Sequence, residues 1–166
     1  DRRGIDVALI YRSTSLNLIS ESLITPEYEG NRLSTRDILH ACLEDRNGCR
    51  THFIVNHHPS KYGGARESEG RRNAAMQALL HMCDSLSDIS SFPLIAMGDF
   101  NDTPMSYTYY RMTRGRQDTF VKGGSGLGAT YSYLWPLLRI DYVLFPDEYK
   151  VGDCEVHKVK FSDHYP

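Results

Sequence analysis

No stretch of this sequence approaches the roughly 18 consecutive apolar residues that a membrane-spanning helix needs, and no segment repeats at a fixed period. Basic charge is not in excess either, since 19 Lys and Arg stand against 21 Asp and Glu for a formal net charge of -2. That balance argues against a protein whose main task is to coat nucleic acid, because phosphate-backbone binding needs many clustered cations. The closest approach to a basic patch is Arg66, Arg71 and Arg72, but Glu67 and Glu69 interleave with it, and it reads as the solvated start of a helix. The cysteines, Cys42, Cys49, Cys83 and Cys154, contain no CxxC spacing, so neither a zinc knuckle nor a redox dithiol is indicated. A two-residue Asn47-Gly48 turn would set Arg46 opposite Cys49 and Cys42 opposite Phe53, which leaves the thiols free. The glycine-rich segment 123–128 lacks the Gly-Lys-Ser/Thr ending of a phosphate-cradling P-loop.

What is present is the composition of one globular unit. A chain of 166 residues, 40% of them hydrophobic, can bury a core without disulfide staples, so residues 1–166 read as a single domain. There is no initiator Met and no signal peptide. Asp1-Arg2-Arg3-Gly4 runs directly into Ile5–Tyr11, which reads as a strand, so the chain is expected to begin inside that domain. A polar segment from Ser13 to Asn31 reads as a surface excursion. Strands over Arg36–Glu44 and Cys49–Asn56 form a hairpin around Asn47-Gly48. Arg66–Leu86 is a helix with a buried stripe of Ala75, Leu79, Met82 and Leu86. Pro93–Met97 is a short apolar run of the kind buried on both faces of a sheet. A tyrosine-rich helix starts at Pro104, with Thr103 as cap, and ends near Met112. Strands follow at Arg139–Phe145 and Cys154–Val159.

Four clusters of polar, titratable residues fall where apolar strands end: Asn56-His57-His58, Asp99 with Asn101, Asp141, and Asp163-His164. Sheet rims are where a rigid scaffold can converge side chains from distant parts of a chain. Asp99–Asp102 alone could be a good turn, since Asp and Asn hydrogen-bond their own backbone. Asp141, among Ile140, Tyr142 and Val143, needs a partner to offset the cost of desolvating a carboxylate. His164 is the natural one, an Asp-His pair being the arrangement that orients an imidazole.

These residues also carry a resemblance. Gly98-Asp99-Phe100-Asn101-Asp102, Arg139-Ile140-Asp141-Tyr142 and Ser162-Asp163-His164-Tyr165-Pro166 resemble, in order and spacing, the GDFN, RIDY and SDHxP motifs of the endonuclease/exonuclease/phosphatase (DNase I-like) superfamily. Asn56-His57-His58-Pro59-Ser60 resembles the NHxPS variant of its bacterial members. The resemblance implies a four-layer α/β sandwich of two packed, mainly antiparallel sheets flanked by helices. It also implies hydrolysis of a phosphate ester by in-line attack of water with Mg2+ or Mn2+ as cofactor. By similarity Asp99 would orient or deprotonate the water and Asn101 would hold it or a phosphate oxygen. Asp163 would bind metal, and His164, braced by Asp141, would contact the phosphate or move a proton. His57 would face the leaving group or a phosphate oxygen, with His58 as the alternative register that the position of Pro59 disfavours. Ser60 and Arg36 are candidate substrate contacts, although Arg36 also reads as an ordinary surface arginine. Trp135 could stack on a base or sugar or cap the core. A zinc site from His57 and His58 is excluded by strand geometry, since neighbours on a strand point to opposite faces.

One departure qualifies this. The family's principal metal ligand is a glutamate near the start of the domain, and Glu21, Glu27 and Glu29 lack its context. The chain is therefore expected to be the C-terminal portion of the domain, inactive alone, with the N-terminal half as a partner. The substrate would be a nucleic acid, a phospholipid head group, or a sugar or inositol phosphate. The alternative is a non-catalytic module that binds a phosphorylated ligand or a protein.

Overall fold

The computed structural model describes residues 5–133, 137–159 and 161–166. Trp135 and the opening Asp1–Gly4 lie outside the described residues, and with Trp135 the stacking role expected of it. Along the chain come β1 (Leu16–Ile24), β2 (Glu27–Tyr28), β3 (Asn31–Arg32), β4 (Ile38–Asp45) and β5 (Arg50–His57). After these come α1 (Glu69–Ile89), β6 (Leu94–Asp99), α2 (Tyr107–Met112), β7 (Arg116–Asp118), α3 (Thr119–Gly123) and β8 (Asp141–Pro146).

Six strands form one sheet in the order β1-β4-β5-β6-β8-β7, while β2 and β3 make a separate ribbon. Only β5 and β6 pair in parallel, because α1 carries the chain back across the sheet between them; the other pairings are antiparallel. Met76, Leu79, Met82 and Cys83 of α1 pack with Ile54, Ala96, Tyr142 and Leu144 in one buried cluster. Each fully buried aliphatic side chain contributes roughly 1.5–3 kcal/mol of transfer free energy. The stripe read from the sequence is therefore the core face, with the helix displaced three residues toward the C-terminus of the expected Arg66–Leu86.

Several expectations are corrected. Residues 5–11 form no strand, and neither do 154–159. The supposed surface excursion contains β1, paired along β4 from Leu16 to Ile24 with an irregularity between Leu18 and Ser20. Its residues are mostly exposed, as at a sheet edge, and its apolar positions, Leu16, Leu18, Ile19, Leu23 and Ile24, do not follow the alternation expected of a half-buried strand. The hairpin turns through three residues, not two: Asp45 Oδ1 accepts from the N–H groups of Asn47 and Cys49, both at 2.8 Å, and Gly48 takes φ 79°. Glu44 then faces Arg50, and Cys42 faces His52 rather than Phe53. The thiols are nonetheless free. The cap of α2 is Ser106, whose Oγ accepts from Tyr109 N–H at 3.1 Å, so Thr103 does not serve. Arg72 is buried, not solvated.

The parallel pair has one further consequence at Gly98, where φ is +128° and an added Cβ would meet the Asn56 carbonyl oxygen at 2.0 Å. Gly98→Ala is expected to lower stability by roughly 2–4 kcal/mol in denaturant unfolding, through backbone strain and forced separation of β5 from β6.

Candidate active site

The topology makes the site. Parallel β5 and β6 end at the same edge of the sheet, and antiparallel β8 begins there. Register then sets His57 beside Asp99 and Asp99 beside Asp141. Laterally paired residues share a face of the sheet, so three functional side chains from distant parts of the chain stand in one row. His164 joins from the C-terminal segment. Ser132 N–H donates to the Asp163 carbonyl (2.8 Å) and Tyr165 N–H to the Thr130 carbonyl (2.7 Å), while Thr130 Oγ1 accepts from Ile140 and Asp141 N–H groups at 3.0 and 3.1 Å. Thr130 thus ties both halves of the Asp-His pair together, with the Tyr131 ring 4.9 Å from that of His164.

Within this frame His164 Nδ1 and Asp141 Oδ2 are 2.9 Å apart, and His164 Nε2 lies 4.0 Å from Asp99 Oδ2. His57 Nε2 approaches the same Asp99 oxygen at 3.3 Å. Asp99 is buried, and its Oδ1 accepts from the Asn101 N–H at 2.7 Å while Oδ2 accepts from Asn101 Nδ2 at 2.8 Å. This turn holds Asn101 at φ 49°, a left-handed conformation that asparagine tolerates better than most side chains. Donor atoms of Asp99, Asp141 and His164 all lie within 4.8 Å of one another, a group that could hold a metal ion.

Burial, and then the neighbouring Asp141 carboxylate, push the Asp99 carboxyl up to about 7. The Asn101 hydrogen bond, His164 and Arg36 act in the opposite direction. His164 is raised, first by its hydrogen bond to Asp141.

The remaining candidates divide. Arg36 is buried two residues before β4, so the surface reading fails and its charge bears on Asp99. Ser60 is exposed, its Oγ accepting from Tyr62 N–H at 3.3 Å. Asp163 is also exposed, 3.2 Å from Ser162 Oγ, and is not in the three-residue group. His58 is 1% exposed and stacked on Phe100 at 5.1 Å; burial drives its imidazole down to about 3, so it is neutral. Of the two adjacent histidines, the structure brings His57 to Asp99. Thr130 and Tyr131 escaped sequence reading because a lone Thr-Tyr in a loop carries no local signal. Arg139 and Tyr142 escaped it too: Arg139 Nη1 donates to Asp118 Oδ2 (2.5 Å) and Tyr142 Oη donates to the Asp102 carbonyl (2.8 Å), so the residues flanking Asp141 fasten it to the neighbouring loops.

The sequence profile of the Endonuclease/Exonuclease/phosphatase family matches residues 1–138. The chain belongs to that family. No curated protein sequence matches it closely enough to count as a relative. Among solved structures it is similar to the human Nocturnin catalytic domain (TM-score 0.66, 18% identity, 81% of this chain and 49% of that one). It is also similar to a mannosyl-6-phosphatase from Bacteroides thetaiotaomicron (0.72, 16%, 93% and 66%) and to truncated TDP2 from Caenorhabditis elegans (0.67, 13%, 91% and 65%). These likenesses show the DNase I-like α/β fold, and the chain spans between about half and two thirds of the length of these structures. Among the described residues no helix is long and apolar enough to cross a membrane.

The raised Asp99 carboxyl has a consequence for stability. A carboxyl whose folded value (about 7) exceeds its ordinary 3.8 binds its proton more tightly when folded, so stability falls as pH rises between those values. In metal-free protein with EDTA, Asp99→Asn is expected to be indistinguishable from wild type near pH 3.5. It should be more stable by on the order of 3–4 kcal/mol at pH 8, read from urea midpoints at each pH. Loss of stability on substitution at pH 8 would contradict the assignment.

Proposed function

We propose that the full-length protein carrying this chain hydrolyses a phosphate ester with a divalent cation, Mg2+ or Mn2+, by in-line attack of an activated water. The observation that carries this reading is the convergence of Asp99, Asp141 and His164 beside His57 and Asn101. Burial first, and then repulsion from Asp141, raise the Asp99 carboxyl, and a cation placed between the two acids would relieve both. The donor set therefore fits a hard cation that prefers oxygen. Asp99 and Asp141 would offer it carboxylate oxygens, with Asp163, next to His164 in the chain, as a further carboxylate. When bound, the ion neutralises charge on the phosphoryl oxygens and lowers the pKa of a coordinated water.

The protein's own groups supply the rest. Asp99, set beside His57 and Asp141 at the sheet edge, accepts the proton of the attacking water. Asn101, fixed by two hydrogen bonds to Asp99, keeps that carboxylate from rotating. His164 donates toward the phosphate from Nε2 while Asp141 holds Nδ1. His57, about a third exposed and 3.3 Å from Asp99, is proposed to protonate the leaving group. Arg36 and Ser60 are proposed to contact the substrate phosphate. Nucleic acids, phospholipid head groups and sugar or inositol phosphates all present the ester this site would need. The family's metal-binding glutamate has no counterpart here, so the activity is proposed for the full-length protein and not for this chain by itself.

With a generic phosphodiester and a phosphomonoester as substrates, the full-length protein is expected to turn over with Mg2+ and to stop with EDTA. Asp99→Ala and His164→Ala are each expected to lower kcat roughly 100- to 10,000-fold. Turnover indifferent to chelation and to both substitutions would defeat the mechanism; a well-folded protein that binds phosphate esters without cleaving them would mark a binding module instead.

A further inference from the structure

Asp102 closes the same turn as Asp99 and Asn101 and is unused by the proposed chemistry. It is 7% exposed. Its carboxylate sits between two cations, with Lys61 Nζ 2.6 Å from Oδ1 and the buried Arg72 Nε 3.9 Å from Oδ2. Both belong to the stretch running from the end of β5 into α1, which begins immediately after His57.

No strand or helix lies between His57 and Glu69, and the turns of that stretch are closed locally, Gly64 N–H donating to the Lys61 carbonyl (3.0 Å) and Ser68 N–H to the Gly64 carbonyl (3.2 Å). Gly63 and Gly64, at φ +85° and +118°, bend it sharply. It is fastened at three points. At the first, His58 N–H donates to the Asp99 carbonyl (2.9 Å) and Asn101 Nδ2 donates to the His58 carbonyl (3.0 Å). At the second, Asp102 holds Lys61. At the third, Arg72 donates from Nη1 and Nη2 to the Ala65 carbonyl, both at 3.1 Å. Asp102 is common to the last two. Its own backbone is fixed from the other side, since Tyr142 Oη of β8 donates to its carbonyl.

We propose that Asp102 is a positioning residue: through Lys61 and Arg72 it locks the segment that follows His57 against the Asp99–Asn101 turn, and so sets the approach of His57 to Asp99. This rests on the function proposed above. An ion pair with one buried partner, here Asp102, is weak evidence of stabilisation, because desolvation offsets much of the attraction, but it is demanding about geometry. Misplacement of a reacting group by about 1 Å can cost roughly 100-fold in rate.

The test uses the full-length protein with Mg2+ and a phosphodiester. Asp102→Asn is expected to lower kcat by about 10- to 100-fold while KM stays within about twofold. Lys61→Ala, at a partly exposed position that tolerates truncation, should cost a similar factor alone and nothing further on the Asp102→Asn background, and Lys61→Arg should retain most activity. Hydrogen exchange should quicken at backbone amides 58–65 in Asp102→Asn and stay unchanged across α1 and β4–β6. Unchanged kcat, additive losses from the two positions, or exchange quickened uniformly across the sheet would each overturn the proposal. If the wild type cleaves no phosphate ester, the proposed function fails, and the local exchange comparison still decides whether Asp102 holds this segment.

Discussion

Two carboxylates, Asp99 and Asp141, stand directly opposite each other across the β6–β8 ladder, and the rest of the site is organised around that repulsion. Like charges opposed on neighbouring strands destabilise a sheet. Here the arrangement survives because each acid is answered from a different side. Asp141 is hydrogen-bonded to His164, which is raised toward the imidazolium by the contact. Asp99 is answered by Asn101 and by the buried charge of Arg36, yet its carboxyl still rises to about 7. Burial is the larger cause of that rise and the neighbouring Asp141 the next, so the groups around the two acids do not fully balance them.

The cost is tolerated because the scaffold cannot easily relax it. β6 is held between parallel β5 and antiparallel β8, and its inner face lies on α1 through Leu94 and Ala96. Gly98 leaves no room for a side chain against the Asn56 carbonyl, so β5 and β6 stay close where His57 and Asp99 emerge. Tyr142, one residue after Asp141, is buried and fastens both the Asp102 and Arg139 carbonyls. Moving the acids apart would mean breaking the core.

How much of this the sequence disclosed follows from how local each signal is. Gly98–Asp102 was legible because the turn's chemistry is contained within it: a positive-φ glycine, an aspartate that caps its own backbone, and an asparagine in the left-handed region. The α1 stripe was legible for the same reason, periodicity being a property of one segment. Pairing is not. β1 was hidden because an edge strand facing solvent has no need of alternation, and the hairpin register slipped by one because Asp45, not Asn47, anchors the turn. Arg72 looked solvated among its neighbours in sequence, but it is buried, donating to the Ala65 carbonyl and Ser68 Oγ, with Asp102, thirty residues away in the chain, 3.9 Å from its Nε. The docking of His164 through Thr130 and Ser132 had no signal at all in either segment.

The adjacent histidines show how strand parity does what composition cannot. His57 and His58 are chemically identical, one residue apart, at the end of one strand. The pleat sends one toward Asp99, where it stays about a third exposed, and the other against Phe100 with no hydrogen-bond partner for either ring nitrogen. Burial then makes His58 a neutral aromatic that fills the core beneath the turn. Its backbone, by contrast, remains functional, since its N–H and carbonyl are the two groups that tie the β5 end to Asp99 and Asn101. A one-residue slip of β5 against β6 would exchange these two environments, placing a neutral, desolvated ring beside the acids and a solvated one in the core. The β5–β6 register is therefore also what sets which imidazole lies beside Asp99.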